Sequence, residues 1–251
     1  MELTVLLLAR NEERSLEKLL PLLQALVAEA RGEGEILLVD GFSEDATRQV
    51  GASFGARVIP QKEPGYGAAF REGVSEAQGG FILTLDADGS HSVEDALKLL
   101  QSRHKADLII GSRYVPGGRY RGRLGRYFLS RLLNCVYKSL LGSPFADMSS
   151  GLRLYRKESL EGLDLQGRAF DILPEVLFKL YARGKRIIEI PITFEARTEG
   201  RSKARYLELI PAYLRTLLRL RRLRRSAPRR PPRTEVPRSA RNAGQAMRPP
   251  A

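Results

Sequence analysis

Two carboxylates, Asp86 and Asp88, come directly after an uninterrupted apolar run at residues 81–85. Such a run predicts a strand that is buried on both faces, and Gly89 followed by the N-cap candidate Ser92 predicts a helix soon after it. In open α/β sheets, side chains at the carboxyl end of a strand lie where ligands bind. Paired carboxylates there suit Mg²⁺ or Mn²⁺. Because an isolated Asp-x-Asp is more often a solvated turn, the assignment depends on the rest of the chain.

Short apolar runs alternate with segments of helical spacing along most of the chain. Strands are predicted at residues 3–8, 36–39, 56–59, 81–85, 108–110 and 187–190, and helices at about 16–27, 43–54, 65–77 and 170–183. The second helix is predicted to begin at Ser43 and Glu44-Asp45. This alternation is typical of βαβ units. The sequence therefore predicts an α/β fold with a doubly wound, mostly parallel sheet.

Polar side chains follow three of the predicted strands. Asn11-Glu12 follow the first strand, Asp40 ends the second, and the Asp86/Asp88 pair follows the fourth. The carboxyl ends of parallel strands meet at one edge of a sheet, so these groups are expected to cluster. Acidic side chains there can accept hydrogen bonds from a base N–H or a ribose hydroxyl. The pattern predicts a nucleotide-type site.

The net charge of +13 is concentrated at one end of the chain. Residues 201–251 hold 15 of the 42 Lys and Arg residues but two of the 29 Asp and Glu residues, which leaves 27 of each sign in residues 1–200. The excess charge therefore belongs to a basic appendage with its own partner. A nucleic-acid-binding protein is the less favoured interpretation, because the rest of the chain is neutral and no aromatic residues interleave the arginines.

The cysteine and hydropathy patterns indicate the compartment. The single cysteine, Cys135, excludes an internal disulfide framework and fits a reducing environment. A signal peptide carries a basic segment before its apolar run, and residues 1–5 contain no such segment. No window approaches the ~20 apolar residues of a membrane span. We therefore expect a cytoplasmic protein.

Further motifs on both sides of the carboxylates carry a resemblance. The set comprises Asn11-Glu12, Asp40-Gly41, Gly65-Tyr66-Gly67, Asp86-Ala87-Asp88, Gly111-Ser112-Arg113-Tyr114, residues 147–156 and 189–194, and Gly200-Arg201-Ser202-Lys203. Together they resemble family-2 glycosyltransferases, and within that family the dolichyl- and polyprenyl-phosphate mannose synthases. The resemblance covers roughly residues 1–220. It implies a GT-A fold, a nucleotide-sugar donor and Mg²⁺ or Mn²⁺.

The same resemblance implies roles for individual residues. Donor contacts are implied for Glu12, Asp40, Gly41, Asp86, Ala87, Asp88, Arg113 and Lys203. Asp86 and Asp88 would also hold the metal, and with Arg113 they form the implied catalytic set. Arg126 and Ser130 occupy positions at which the family contacts the acceptor phosphate. The chain departs from the family at Gly41, which replaces the second aspartate of a commoner pair, and at Ser90, where some relatives carry a glutamine ligand.

The activity implied by the resemblance is inverting, metal-dependent transfer of mannose from GDP-mannose to a polyprenyl or dolichyl phosphate. The alternative is a family-2 enzyme that uses a UDP-sugar and a glycolipid or soluble acceptor. A phosphate acceptor is already anionic and needs little general-base help, which suits a chain without an obvious catalytic histidine. A general base is the alternative for two residues: His91 is interpreted instead as a loop residue, and Asp147 as a structural partner for an arginine.

The carboxyl-terminal part is expected to be separate from the catalytic domain. We expect a GT-A domain at residues 1–203, an amphipathic basic helix at 204–225 and a disordered Pro/Arg-rich tail at 226–251. Such a helix can lie on an anionic membrane surface, which would make the protein peripheral on the cytoplasmic membrane face. In the alternative interpretation, its leucine face packs on the catalytic domain.

Overall fold

The computed structural model describes residues 1–29, 34–196 and 206–223. Its strands are β1 (Leu3–Ala9), β2 (Gly34–Asp40), β3 (Arg57–Pro60), β4 (Phe81–Asp86), β5 (Leu108–Ser112), β6 (Arg119–Arg121), β7 (Arg153–Arg156), β8 (Ile187–Pro191) and β9 (Thr193–Glu195). Its helices are α1 (Glu13–Glu29), α2 (Thr47–Ser53), α3 (Tyr66–Glu76), α4 (Val93–Gln101), α5 (Leu124–Leu141), α6 (Lys157–Leu160), α7 (Ile172–Ala182) and α8 (Tyr206–Leu223). Lys203 and the predicted tail at residues 226–251 lie outside the described residues.

The described strands form a seven-stranded sheet in the order β3-β2-β1-β4-β7-β5-β8 and a two-stranded β6-β9 ribbon. β1 lies between β2 and β4 and is parallel to both. Leu8 is aligned with Val39 on one side and with Asp86 on the other. The segments that follow these three strands therefore leave the sheet at the same edge.

Helices cover both faces of the sheet. On one face, Leu16 and Leu23 of α1 and Leu99 of α4 belong to a buried apolar cluster. On the opposite face, Phe70 of α3 and Val176 of α7 belong to a second cluster. The predicted α/β architecture, with a doubly wound and mostly parallel sheet, is confirmed.

Strand β7 was not predicted. It lies antiparallel between β4 and β5. Two of its four residues are arginines, so it contains no apolar run that would indicate a strand. Arg153 is fully buried and donates hydrogen bonds of 2.7–2.9 Å to the carbonyl oxygens of Met148, Ser150 and Leu173. These bonds replace the water that the guanidinium loses, which is what allows an arginine in a central strand.

The predicted start of the second helix is wrong, because α2 begins at Thr47. Ser43 does not cap it; its Oγ accepts a hydrogen bond of 2.8 Å from the backbone N–H of Asn11. The carboxylate of Asp45 accepts from the backbone N–H groups of Glu13 and Thr47. These polar side chains thus tie the segment after β2 to the segment after β1 instead of starting a helix. By contrast, Ser92 caps α4 as predicted, accepting from the N–H of Asp95.

Helix α8 packs against α5 and α7. Leu217 and Leu220 are buried in this contact, whereas Ile210, Leu214 and Leu218 are largely exposed. Packing against α5 and α7 therefore accounts for part of the leucine pattern and leaves part of the apolar stripe uncovered by the described residues.

No helix within the described ranges is long and apolar enough to cross a membrane. The expected division between residues 203 and 204 lies outside the described residues, which end at 196 and resume at 206. The domain boundaries therefore stay a prediction.

One buried hydrogen bond that attaches α8 is donated by Thr216 Oγ1 to Asp171 Oδ2 at 2.7 Å. We expect Thr216→Val to lower the free energy of unfolding by about 1.5–3 kcal/mol, since the substitution leaves a buried carboxylate without this donor. Urea denaturation at pH 7 measures the change. Arg215→Ala, at the exposed neighbouring position, is the control and should stay within about 0.5 kcal/mol of the parent. Equal stabilities of the parent and Thr216→Val would show that the bond does not stabilise the fold.

Candidate functional site

A cavity of about 830 Å³ opens at the sheet edge where β1, β2 and β4 end. It brings together most of the residues that the sequence singled out: Glu12, Gly41, Asp86, Ala87, Asp88, Arg113, Arg126 and Ser130 all line it. Asp40 does not line it, and Lys203 lies outside the described residues.

The two carboxylates of the Asp-x-Asp motif differ in their surroundings. Asp86 is at the end of β4, and its side chain is 24% exposed. Asp88 is buried, and its Oδ1 accepts a hydrogen bond of 3.0 Å from the backbone N–H of Ser90. A Cβ at Gly151 would lie 2.6 Å from Asp86 Oδ1, so the glycine leaves room for this carboxylate. The Asp86 side chain can therefore reach the cavity without steric obstruction.

The donor set suits a hard divalent cation that is shared with a substrate. Asp86 and Asp88 both line the cavity, and Mg²⁺ or Mn²⁺ commonly takes one or two carboxylates together with phosphate oxygens and water. In the described part of the chain, no group of three or more His, Cys, Asp or Glu side chains is arranged to hold a metal ion. Ser90 Oγ is buried without a hydrogen-bond partner among these residues, but it does not line the cavity. A cation held here would need oxygens from its ligand.

His91 lies closer to the carboxylates than its interpretation as a loop residue implied. It is buried, and its Nε2 lies 3.3 Å from Asp86 Oδ2. Neither ring nitrogen has hydrogen-bond geometry with a described residue, so the contact is one of proximity. A backbone bridge to Phe194 holds His91 from the other side. The spacing of His91 from Asp86 was a usable signal that sequence reasoning did not follow.

Phe194, on β9, was also missed, and it connects the carboxylate segment to the arginine-rich segment. Its ring stacks on Tyr120 with 5.1 Å between the ring centres and meets the His91 ring edge-on at 5.5 Å. The guanidinium carbons of Arg126 and Arg113 lie 5.2 and 5.6 Å from its ring centre. These are cation–π distances. Phe194 therefore supports both arginines beside the cavity.

Arg113 forms a buried ion pair with Asp147, as expected for a structural role of that aspartate. Its Nε and Nη2 each donate to one Asp147 oxygen at 2.7 Å, and Nη2 also donates to Ser149 Oγ at 2.8 Å. Burial alone would raise the pKa of Asp147, but the charge and hydrogen bonds of Arg113 outweigh it and hold the pKa below its usual value. The arginine is thus fixed in its charged form at the cavity wall.

Arg126 and Ser130 lie four positions apart on α5 and both line the cavity. Ser130 Oγ accepts from Tyr114 Oη at 2.9 Å and lies 3.0 Å from Ser149 Oγ. Ser149 Oγ also accepts from Arg113, so hydroxyl groups link Arg113 to Ser130. Arg126 is connected to Arg113 through the Phe194 ring, which both guanidinium groups contact. Such a cluster of cationic and hydroxyl donors suits a phosphate.

The end of the cavity near β2 contains the residues expected to contact a nucleoside. Glu12 borders the cavity, and its Oε2 accepts from Ser15 Oγ at 3.3 Å. Asp40 Oδ2 accepts from the N–H of Ser43 at 3.3 Å, whereas its buried Oδ1 has no hydrogen-bond partner among the described residues. One oxygen of the Asp40 carboxylate thus retains its acceptor capacity.

The opposite end of the cavity is apolar. It continues between α5 and α8 and is lined there by Leu129, Leu132, Leu133, Val136, Leu209, Ile210, Tyr213, Leu214 and Leu217. Tyr137 Oη donates to the Tyr213 carbonyl at 2.6 Å and holds the two helices together at this point. The cavity therefore joins a polar centre to an apolar groove.

Comparison with known families gives a match over most of the fold. The model of the family described as "Glycosyl transferase family 2" matches residues 4–164. The chain is 32% identical over 198 residues to an undecaprenyl-phosphate mannosyltransferase of Micrococcus luteus, covering 73% of this chain and 81% of that protein. It is 36% identical over 202 residues to a polyprenol monophosphomannose synthase of Mycolicibacterium smegmatis, covering 73% and 75%. It is 32% identical over 183 residues to glycosyltransferase AglJ of Haloferax volcanii, with 70% of this chain covered but 59% of that protein.

Solved structures give the same fold at lower identity. Glucosyl-3-phosphoglycerate synthase of Mycobacterium tuberculosis, in complex with Mn²⁺ and UDP-glucose, superposes with a TM-score of 0.66 at 20% identity, covering 87% of this chain and 78% of that one. This likeness concerns the fold alone and agrees with the expected GT-A architecture. Together with the family model and the relatives above 30% identity, it leads to one conclusion: the chain belongs to family 2 of the glycosyltransferases.

Proposed function

We propose that this protein transfers a hexose from a nucleotide-sugar donor to the phosphate of a polyprenyl-type lipid. The observation that carries the proposal is the continuity of one cavity from Asp86 and Asp88, past Arg113 and Arg126, into the groove between α5 and α8. A lipid phosphate has the same two parts, an anionic head and an apolar chain. The names of the relatives from M. luteus and M. smegmatis support this acceptor class.

The donor is proposed to be GDP-mannose. Mannosyltransferase relatives support the sugar. The alternative, a UDP-sugar with a different acceptor, is favoured by one observation, namely that the similar fold from M. tuberculosis was solved with UDP-glucose. Glu12 and the Asp40-Gly41 corner would contact the nucleoside in either case.

The reaction is proposed as a single inverting displacement. An oxygen of the acceptor phosphate forms a bond to the anomeric carbon while the bond to the diphosphate breaks and its electron pair leaves with the nucleoside diphosphate. A divalent cation bound to Asp86 and Asp88 would stabilise the negative charge that develops on that leaving group. The acceptor phosphate is ionised at neutral pH, so no side chain has to remove a proton from it.

Arg126 and Ser130 would hold the acceptor phosphate, while Arg113 and Lys203 would contact phosphate groups of donor or acceptor. Two anionic substrates repel each other, and fixed cations between them offset that repulsion. Arg126 is supported by the Phe194 ring and Ser130 by Tyr114, so both donors are held in position before an acceptor binds. This preorganisation is what a transfer between two phosphorylated molecules requires.

The decisive experiment is a transfer assay with matched donors and acceptors. Purified protein is incubated with GDP-mannose or UDP-glucose, with a polyprenyl phosphate or 3-phosphoglycerate, and with Mn²⁺ or EDTA; products are identified by mass spectrometry. We expect a mannosyl lipid phosphate that forms in Mn²⁺ and not in EDTA. A soluble glycosyl product from phosphoglycerate alone would contradict the lipid acceptor, and full activity in EDTA would contradict the cation.

Arg126→Lys tests the acceptor contact. Lysine keeps the charge but loses the two-pronged donor geometry of arginine, so we expect the KM for the lipid phosphate to rise about tenfold. The dissociation constant for the donor nucleotide should change less than about twofold. Arg123→Lys, on an exposed residue that does not line the cavity, is the control and should match the parent. If Arg126→Lys leaves the KM for the lipid unchanged, Arg126 does not hold the acceptor.

The same lipid acceptor implies contact with a membrane surface, and we propose that the exposed face of α8 provides it. Ile210, Leu214 and Leu218 are exposed beside Arg221 and Arg222. An amphipathic basic helix can lie in the headgroup plane, and each arginine near an anionic surface contributes ~1 kcal/mol. The attraction decays over a Debye length of ~8 Å at physiological salt. Peripheral association with the cytoplasmic membrane face would follow.

Reversal of charge at Arg221, Arg222, Arg224 and Arg225 to glutamate tests this docking. We expect the parent protein to co-sediment with anionic liposomes at low salt and to dissociate by about 0.5 M NaCl, as screening removes the attraction. The variant should bind weakly even at low salt. Reversal at Arg14, Lys18, Lys62 and Lys105, four exposed positions outside α5 and α8, gives the same net charge change and should bind better than the variant. Parent-like sedimentation of the α8 variant would exclude electrostatic docking through this helix.

A further inference from the structure

Phe42 stands out because two unfavourable features coincide at it. Its backbone has a φ of 62°, in the left-handed region that bulky residues rarely adopt. Its side chain is 50% exposed and lines the cavity beside Gly41. The fold thus holds an aromatic ring in water at the expense of backbone strain. Strain of this kind persists where the surroundings over-determine the conformation, and it concentrates at functional sites.

Hydrogen bonds from both sides hold the Phe42 turn. The N–H of Gly41 donates to the Ala9 carbonyl at 2.7 Å. The N–H of Glu44 donates to Asn11 Oδ1 at 2.8 Å, and Asn11 itself has a φ of 51°. The segments after β1 and β2 thereby fix each other's conformation. The backbone of Phe42 is therefore held at the rim of the cavity, and its side chain starts from a fixed Cα–Cβ direction.

Gln61 fills the space that a side chain at Gly41 would occupy. A Cβ at Gly41 would lie 3.0 Å from Gln61 Oε1 and 3.2 Å from the Ala9 carbonyl. Gln61 Nε2 donates to the carbonyl oxygens of Glu63 and, at 2.8 Å, Gly65, which fixes the orientation of the amide. Oε1 therefore points away from those carbonyls and accepts no hydrogen bond from a described residue. Gln61 also lines the cavity.

We propose that Phe42 and Gln61 form the nucleobase subsite of the donor, with the Phe42 ring stacked on the face of the base and Gln61 Oε1 accepting from a ring N–H. This inference rests on the proposed function. Aromatic rings stack on any base, and an in-plane carbonyl oxygen selects a base with a ring N–H, such as uracil or guanine. Phe42 and Gln61 thus provide the contacts to the base that Gly41 cannot provide, because it lacks a side chain.

The test measures binding of GDP, UDP and inorganic pyrophosphate, each with Mn²⁺, by isothermal titration calorimetry. The variants are Phe42→Gly, which suits a left-handed backbone, and Phe42→Leu, which keeps an apolar side chain without an aromatic ring. Leu22→Ala, at an exposed apolar residue on α1 outside the cavity, is the control. We expect both Phe42 variants to bind the preferred nucleoside diphosphate about 5- to 150-fold more weakly and pyrophosphate as the parent does. The melting temperature of Phe42→Gly should not fall, because the strain is relieved.

The role of Gln61 is tested without altering the protein. The preferred nucleotide, methylated at its ring nitrogen, should bind the parent at least about tenfold more weakly, because Gln61 Oε1 then faces a methyl group. Undiminished binding of the methylated nucleotide would overturn this contact. If Phe42→Gly does not fold, Phe42→Leu decides the stacking.

The outcomes separate the inference from the proposed function. If the parent binds nucleotides and both Phe42 variants bind them equally well, the stacking role is wrong while the proposed transfer stands. An equal loss of nucleotide and pyrophosphate binding would also overturn it, since that loss would concern the diphosphate. If the parent binds neither GDP nor UDP, the donor class and the subsite fall together.

Discussion

The buried ion pair between Arg113 and Asp147 is the interaction on which the rest of the site depends. It joins the end of β5 to the segment that leads into β7, and Glu189 on β8 supports it from below by accepting the N–H of Asp147 at 2.9 Å. That segment continues to Gly151, whose lack of a side chain leaves space for the Asp86 carboxylate. A buried pair of this kind stabilises little by itself, but loss of either partner leaves an uncompensated charge. The pair therefore fixes the relative positions of the carboxylates and the arginines.

The parallel register of β1 explains why distant residues meet at one edge. β1 is central and is hydrogen-bonded on both sides, so the residues after β1, β2 and β4 have little freedom to move apart. The helices on either face bury the sheet without covering this edge. Side chains that are costly to bury can therefore collect there, beside water and ligand, while the apolar interior supplies the stability.

Much of this arrangement could be predicted from the sequence, because a buried parallel strand must be apolar along its length and the polar residue that ends it is then conspicuous. Asp86 and Asp88 were found in this way. β7 was missed because Arg153 is solvated by backbone carbonyls, which no periodicity indicates. Phe194 was missed because its place beside His91 depends on β9 crossing to the carboxylate segment, a contact between residues far apart in sequence. Lys203 and the basic tail remain predictions.

The cavity is assembled from two consecutive parts of the chain. Asp86, Asp88 and the end of the cavity near β2 come from residues before position 92, whereas Arg113, Arg126, the hydroxyl cluster and the apolar groove come from residues after position 112. Substitutions among the groove residues of α5 and α8 can therefore reshape the apolar end of the cavity without touching Asp86 and Asp88. Within the sheet, β7 separates these strand ends from β5: it lies antiparallel between β4 and β5 and runs away from the edge at which the cavity opens. In this layout, the shape of the apolar end is set by side chains on two helices, whereas the positions of the carboxylates are set by strand ends at the centre of the sheet.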